Sequence, residues 1–549
     1  MDQNARAILY NDPDLGCGNF LIKARELSST KDTLFLFLER PFVSPYGEDF
    51  VSFSYNTLYA TVRSLAEWYV AHGVVRGDVV GTYLSNGIGH FMHYLALNSL
   101  GAVPAIINCS LSPATVRNYA KQHRLQAVVV DPDTRFDEAG DIRLIWANDW
   151  APAGNVEWVP GDWPIVDHKP DAPVMICHSS GTTNVPKAIV YTHAQHFIGK
   201  RERLKQFIED ASDRMVTGMP PAHSAGISYL MTAVMLELPT FVLSQLTGPN
   251  VAKNIQQFKP TIVSGFAQTW TSLAEQGLPA GAFTSVRRFY NTGDTPHRKH
   301  VANLLRLAPN ARFTDGYGSS ELAMAQFEMV STSNNVASKR CVGRPRWFVE
   351  SVLIVDASGK PLPDREVGFI AIKSPTLTPG YYNQPLLTQL GKLNSHWLTG
   401  DVGYRKDDGT FYQLDRSYDV ITTPFGPLYS LATEEFLLDT VPGVHDVVIV
   451  GPNRFPLNVQ TTVALIVPEK DQAIDPNVVL GKLRELEQFN RDDLPPFTLC
   501  AAIVEDGGKI PSGCTGKVLK RTLRDAFWGM YRTYTSGDRS TFLNVAWNT

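Results

Sequence analysis

From His178 to His193 the chain reads HSSGTTNVPKAIVYTH. Ser179, Ser180, Thr182 and Thr183 surround Gly181, and Asn184-Val185-Pro186 leads into Lys187. Residues of these types build ordinary polar turns. They also build a phosphate cradle: successive backbone N–H groups in a glycine turn form an anion nest, which hydroxyls and a lysine complete. The stretch is not a Walker loop, because GxxxxGK[ST] is absent and Pro186 precedes the lysine. It contains no GxSxG, so it is not a nucleophile elbow. The apolar runs Val174-Met175-Ile176 and Ile189-Val190-Tyr191 predict a strand on either side.

Further short segments follow along the chain: PPAHSAG (220–226), YNTGDTP (290–296), DGYGSSE (315–321), LTGD (398–401), LDRSYD (414–419) and IPSGCTGKVLKR (510–521). Taken singly, each is a turn, a core tyrosine or a solvated charge. As an ordered set with SSGTTNVPK, they resemble the motifs of the adenylate-forming (AMP-binding) superfamily. That group includes acyl- and aryl-CoA synthetases, luciferases and nonribosomal-peptide adenylation domains. Asn184 and Ala188 stand where the family usually has glycine, and Ser320 replaces its threonine. Asparagine is well tolerated at a left-handed turn position, so the loop geometry can survive.

The resemblance implies a role for each residue. Ser179, Ser180, Gly181, Thr182, Thr183 and Lys187 hold the ATP phosphates. Asp315 and Ser320 flank the nucleotide, and Tyr317 stacks on adenine. Glu321 is a hard oxygen ligand suited to Mg²⁺. Asp401 accepts both ribose hydroxyls, Arg416 adds positive charge, and Lys517 matches the family's mobile lysine. In the implied reaction a carboxylate attacks the α-phosphorus of ATP. Lysine, Mg²⁺ and oriented N–H donors stabilise the developing charge, and no protein nucleophile is required. The acyl-adenylate is then open to a thiol, most simply CoA. A separate phosphopantetheine carrier protein or an amine is the alternative acceptor, and a non-catalytic nucleotide-binding regulator is a third reading.

The implied acid pocket comprises His223, Ser264, Gly265, Phe266, Tyr290, Thr292, Gly316 and Met324. His223 is expected to line or gate it. Amino-acid-activating relatives place an aspartate in the segment that here reads Ala222-His223-Ser224-Ala225. A buried ammonium without a partner is costly, so α-amino acids are disfavoured and an aryl or medium acyl acid is expected. Two departures concern the second half-reaction. Tyr418 occupies the hinge position where the family has Asp or Lys, and ITTPFGPLYSLATEEF replaces the usual KxxGxxIxxxEIE segment of the thiol tunnel, with Gly426 and Glu435 keeping parts of it. Cys177, His178, His193 and His196 match no usual zinc spacing.

Strand-like runs at 77–84, 127–132, 172–179 and 260–266 alternate with helical patterns at 55–72 and 113–123. This predicts an α/β fold with layered, largely parallel sheets. Phe91 to Ile107 is apolar but contains His93, Asn98 and Pro104, which predicts a buried helix and a strand rather than a membrane span. From Val342 short alternating runs predict a small β-rich piece, followed by a small mobile α+β domain. The expected division is a large adenylation lobe, 1–416, and a lid domain, 417–549. Net charge is −4 with no basic stripe, which disfavours nucleic acid. The six cysteines show no CxxC pair, and the first residues carry no signal-peptide core, so a reducing, cytoplasmic setting is expected. No carrier or reductase motif follows Lys520.

Overall fold

The computed structural model describes residues 1–43, 49–85, 87–134, 136, 140–150, 168–178, 186–324, 326–346, 348–423, 425–451, 462–490, 499–504, 510–512 and 517–526. The hydroxyl loop Ser179, Ser180, Gly181, Thr182 and Thr183 lies outside them, and so does Cys514. The two strands that bracket the loop, Pro173–His178 and Ala188–Thr192, pair antiparallel with Cys177 opposite Ile189.

That hairpin closes one edge of a six-stranded sheet whose other strands, among them Val79–Leu84, Val103–Asn108 and Ala127–Val130, run parallel. These strands are buried on both faces, and the sequence accordingly shows continuous rather than alternating apolar runs. The helix Tyr55–Ala71 starts where Ser54 and Thr57 cap each other reciprocally. The run 91–107 resolves into a buried helix, Gly89–Ser99, and the strand Val103–Asn108. Among the described residues no helix is long and apolar enough to cross a membrane.

A second, larger sheet of 14 strands holds the parallel strands Ile262–Gly265, Arg288–Thr292 and Arg312–Tyr317 at its centre. The β-rich piece after Val342 is antiparallel but is not a separate layer. The strand Cys341–Arg346 pairs with Gln326–Ser331 on one side and Phe411–Arg416 on the other, so the sheet runs on without a break. Beyond Ile421 the chain packs around cores of its own, built on the sheet Val444–Val450, Thr462–Pro468 and Leu499–Ile503.

This C-terminal unit docks on the helix Arg298–Leu307 and its N-terminal flank. His297 Nδ1 lies 2.8 Å from Glu435 Oε2, and Arg298 N donates to Glu435 Oε1 at 2.7 Å. Lys299 pairs with Glu469, and His300 Nε2 bonds the carbonyl of His445. Tyr418, at the connection, is 46% exposed. Among the described residues Cys17, Cys177, Cys341, Cys109 and Cys500 are free thiols.

Candidate active site

The ends of the central strands, the hairpin strand Ala188–Thr192 and the start of the C-terminal helix surround a cavity of about 830 Å³. Strand alternation decides which residues face it. Arg312, Thr314 and Gly316 line the cavity, whereas Asp315 and Tyr317 point to the opposite face. Asp315 accepts a hydrogen bond from Asn291 Nδ2 at 2.6 Å, and burial pushes its carboxyl up to about 6.

Tyr317 donates to Asp401 Oδ2 at 2.6 Å and sets its ring edge-on against Phe327. Arg416 Nε lies 3.1 Å from the other Asp401 oxygen. Asp401 is placed by an irregularity within the strand His396–Arg405, where Gly400 takes φ +81°, a conformation other residues reach only with strain, and Asp401 N donates to Thr399 Oγ1 at 3.1 Å. Tyr317, Asp401 and Arg416 therefore form one connected unit, although only Arg416 reaches the cavity surface.

On the opposite wall, Lys187 Nζ donates to Tyr381 Oη at 3.3 Å, and Tyr381 Oη donates to Glu321 Oε1 at 2.9 Å. Tyr381 is the link that the motifs did not reveal. It lies in GYYN, where nothing in the spacing marks it. Ser320 is positioned through its carbonyl, which accepts from Tyr191 Oη at 2.8 Å. Glu321 lines the cavity beside a lysine and accepts only a neutral phenol there, so it fits the role of a Mg²⁺ ligand completed by phosphate oxygens.

Lys517 also reaches this cavity. Its Nζ lies 3.8 Å from Asp294 Oδ1, buried and, among the described residues, without a hydrogen-bond partner. Burial and the Arg416 charge lower its pKa. Lys517 and Arg416 together hold Asp294 below the usual carboxylate range despite its burial. Asp294 lies inside YNTGDTP but its role was not legible there.

The acid-pocket residues divide into two groups. His223, Tyr290, Thr292, Gly316 and Met324 line the cavity. Ser264, Gly265 and Phe266 stand behind its wall: Ser264 Oγ donates to Thr217 Oγ1 in the sheet, a Cβ on Gly265 would meet Trp270 at 3.1 Å, and Phe266 packs edge-on under the His223 ring. Burial lowers His223 to about 4, so its ring is neutral near pH 7. Its Nδ1 accepts from Ala225 N at the start of the helix Ser224–Leu236, which places the ring proton on Nε2. His223 thus caps a helix and offers the cavity a donor rather than a base. Met324 packs on Gly199, where any Cβ would lie 2.4 Å from Met324 Cγ. His178 accepts from Asn108 N, and among the described residues no His, Cys, Asp or Glu cluster forms a metal site.

Comparison with known proteins fits this geometry. The AMP-binding enzyme family matches residues 35–382. A 3-aminoavenalumate diazotase from Streptomyces sp. is 31% identical over 555 residues, spanning 96% of this chain and 98% of that protein. A 4-coumarate–CoA ligase-like protein of Arabidopsis thaliana is 25% identical, spanning 86% of each. The crystal structure of ATP-bound MatB from Rhodopseudomonas palustris shares the fold, with a TM-score of 0.76 at 20% identity over 94% of this chain and 99% of that one. The chain belongs to the AMP-binding enzyme family.

Proposed function

We propose that the chain adenylates nitrite and delivers the nitroso group to the nitrogen of an aromatic amine, a diazotisation. The observation that carries this reading is the end-to-end similarity to an enzyme named as a diazotase. The altered segment after the hinge, where thiol-using relatives line their tunnel, supports an acceptor other than CoA. The adenylation half rests on the facing sets Lys187–Tyr381–Glu321 and Lys517–Asp294–Arg416.

Nitrous acid, like a carboxylic acid, is an oxyacid that adenylation can activate. A nitrite oxygen attacks the α-phosphorus and pyrophosphate leaves. Lys187 and Lys517 balance the charge that grows on the phosphoryl oxygens and the leaving group. Mg²⁺ held by Glu321 would supply further charge neutralisation. The amine nitrogen then attacks the nitroso nitrogen, the N–O bond breaks, and AMP leaves with the electron pair while the amine loses a proton. The resulting N-nitrosamine isomerises to a diazohydroxide, takes up a proton and loses water to give the diazonium ion. The nitrite nitrogen is reduced as the amine nitrogen is oxidised, and their summed oxidation state is unchanged, so no external redox partner is needed.

The second reading is transfer of an acyl group to CoA. Gly426, which keeps φ +117° in the post-hinge turn, and the CoA-ligase relatives favour it. Parallel incubations with ATP separate the two. Nitrite plus an aryl amine should give AMP and a diazonium ion that couples to a naphthol as an azo dye. A carboxylic acid plus CoA should give no acyl-CoA by mass. Acyl-CoA without dye would establish the second reading instead.

A further inference from the structure

The cavity extends well past the phosphate-handling residues, and its far half is cationic. The helix His193–Gln206 and its cap present His196, Lys200, Arg203 and Phe207 along one face, and all four line the cavity. At 1.5 Å per residue this row covers about 16 Å. Opposite it, Arg312, Thr314 and Gly316 line the cavity along a strand, a span of about 13 Å. The two rows lie side by side and run in opposite chain directions. The start of the helix lies beside Tyr191, which bonds Ser320, while at its end the Phe207 carbonyl accepts from Arg288 Nη1.

Lys200 and Arg203 are 2% and 9% exposed, yet among the described residues neither forms an ion pair with a carboxylate. Lys200 Nζ lies 3.1 Å from His196 Nδ1, a neutral ring because its own pKa is driven well down by burial. Arg203 directs Nη1 at Ser228 and Thr232, and lies over the Tyr229 ring at 4.7 Å. The nearby thiols of Cys17 and Cys177 are pushed up to about 12 by burial, so they are neutral as well. Buried cations are ordinarily paired, because leaving one unpaired is expensive. Burial and Arg203 bring Lys200 down to about 7. An arriving anion would favour the charged form of Lys200 and pair with the Arg203 guanidinium.

We infer that Lys200 and Arg203 form an anion subsite for a carboxylate carried by the amine substrate, on the helix side of the cavity beyond the phosphate-handling residues. The inference rests on the diazotase reading and narrows it to aromatic amines bearing a carboxylate. Phe207, Tyr229 and Tyr290 supply aromatic surface beside the two cations: Phe207 and Tyr290 stack at 5.5 Å, and Tyr229 lies 6.3 Å from Tyr290. An aromatic amine bearing a carboxylate would set its ring against this surface and its carboxylate on the two cations.

Calorimetric binding to the full chain with AMP present tests this, using aminobenzoates and aminocinnamates against their primary amides. Each pair differs essentially in charge. At least one acid should bind about 10- to 100-fold more tightly than its amide, the value of a charge-assisted hydrogen bond. Lys200→Met and Arg203→Met should each remove most of that preference while leaving amide binding unchanged, and Lys200→Arg should retain it. Should the Met variants fail to fold, the native acid-to-amide ratio and the Lys200→Arg variant still decide. Equal binding of every acid and its amide overturns the subsite, as does a Met variant that keeps the preference. A Lys200→Met variant that raises only the nitrite KM also overturns it, because the anion would then be nitrite. If no diazonium ion forms yet the acid preference disappears in the variants, the subsite stands and the diazotase reading falls.

Discussion

The phenol of Tyr317 donates to Asp401 at 2.6 Å, and the same carboxylate holds Arg416 at 3.1 Å through its other oxygen. Tyr317 and Asp401, 84 residues apart in sequence, are thus joined through a buried carboxylate that also pairs with Arg416. Asp401→Ala is expected to raise the KM for ATP about 10- to 100-fold, because it removes the carboxylate that positions Arg416 at the cavity, a charge-assisted interaction worth about 1.5–3 kcal/mol. Circular dichroism should show the fold intact. A variant that melts far lower yet binds ATP normally would make Asp401 a structural residue.

Lys517 lies 3.8 Å from Asp294 with its ammonium buried and, among the described residues, without a hydrogen-bond partner, poised for charge that arises only during reaction. Lys517→Ala should slow adenylate formation by about 10²–10³. Consumption of a supplied adenylate should be nearly unaffected. Pyrophosphate exchange and single-turnover consumption measure the halves separately, and an equal loss in both contradicts the role.

Tyr381→Phe removes the hydroxyl that joins Lys187 to Glu321 and leaves the ring in place. One neutral hydrogen bond is worth about 0.5–1.5 kcal/mol, so turnover should fall about 2- to 10-fold. The loss should be largest at low Mg²⁺, because Glu321 becomes less well oriented. Mg²⁺ titrations identical to wild type would show the link to be incidental.

Docking of the C-terminal unit should depend on pH. Burial opposes both shifts, but the hydrogen bond with Glu435 and the charges of Glu435 and Glu434 raise His297 above its ordinary 6.5, and His297 in turn lowers Glu435 to about 2. The histidine's contribution is complete below pH 6.5 and lost as pH rises through its raised value. The glutamate's is complete above its ordinary 4.5 and lost as pH falls toward about 2. Docking should therefore be firmest between these limits. Small-angle scattering should show expansion by pH 9, and Glu435→Gln should be expanded already at pH 6.

The sequence disclosed those parts of the molecule that rest on local chemistry. Apolar runs without alternation marked the doubly buried strands, and the hairpin around the hydroxyl loop followed from its flanks. Lys187, Glu321, Asp401 and Lys517 were legible because each lies in a motif of fixed spacing. Tyr381 was not, because a tyrosine in a turn has no pattern until the fold brings it between Lys187 and Glu321. Ser264, Gly265 and Phe266 were expected at the pocket surface from their order in the chain. Their depth behind His223 is set by packing, which spacing does not encode. Lys200 and Arg203 lie in no motif of the sequence, and only the fold shows that they are buried.

The most direct test of nitrite adenylation is isotopic. With ¹⁸O-labelled nitrite, ATP and an aromatic amine, one labelled oxygen should appear in the AMP released for each diazonium ion trapped. That oxygen is the one that attacked the α-phosphorus and stayed behind when the N–O bond broke. Diazonium formation with unlabelled AMP would contradict the account. So would label entering AMP only from an ¹⁸O-carboxylate substrate, which would return the chain to acyl activation.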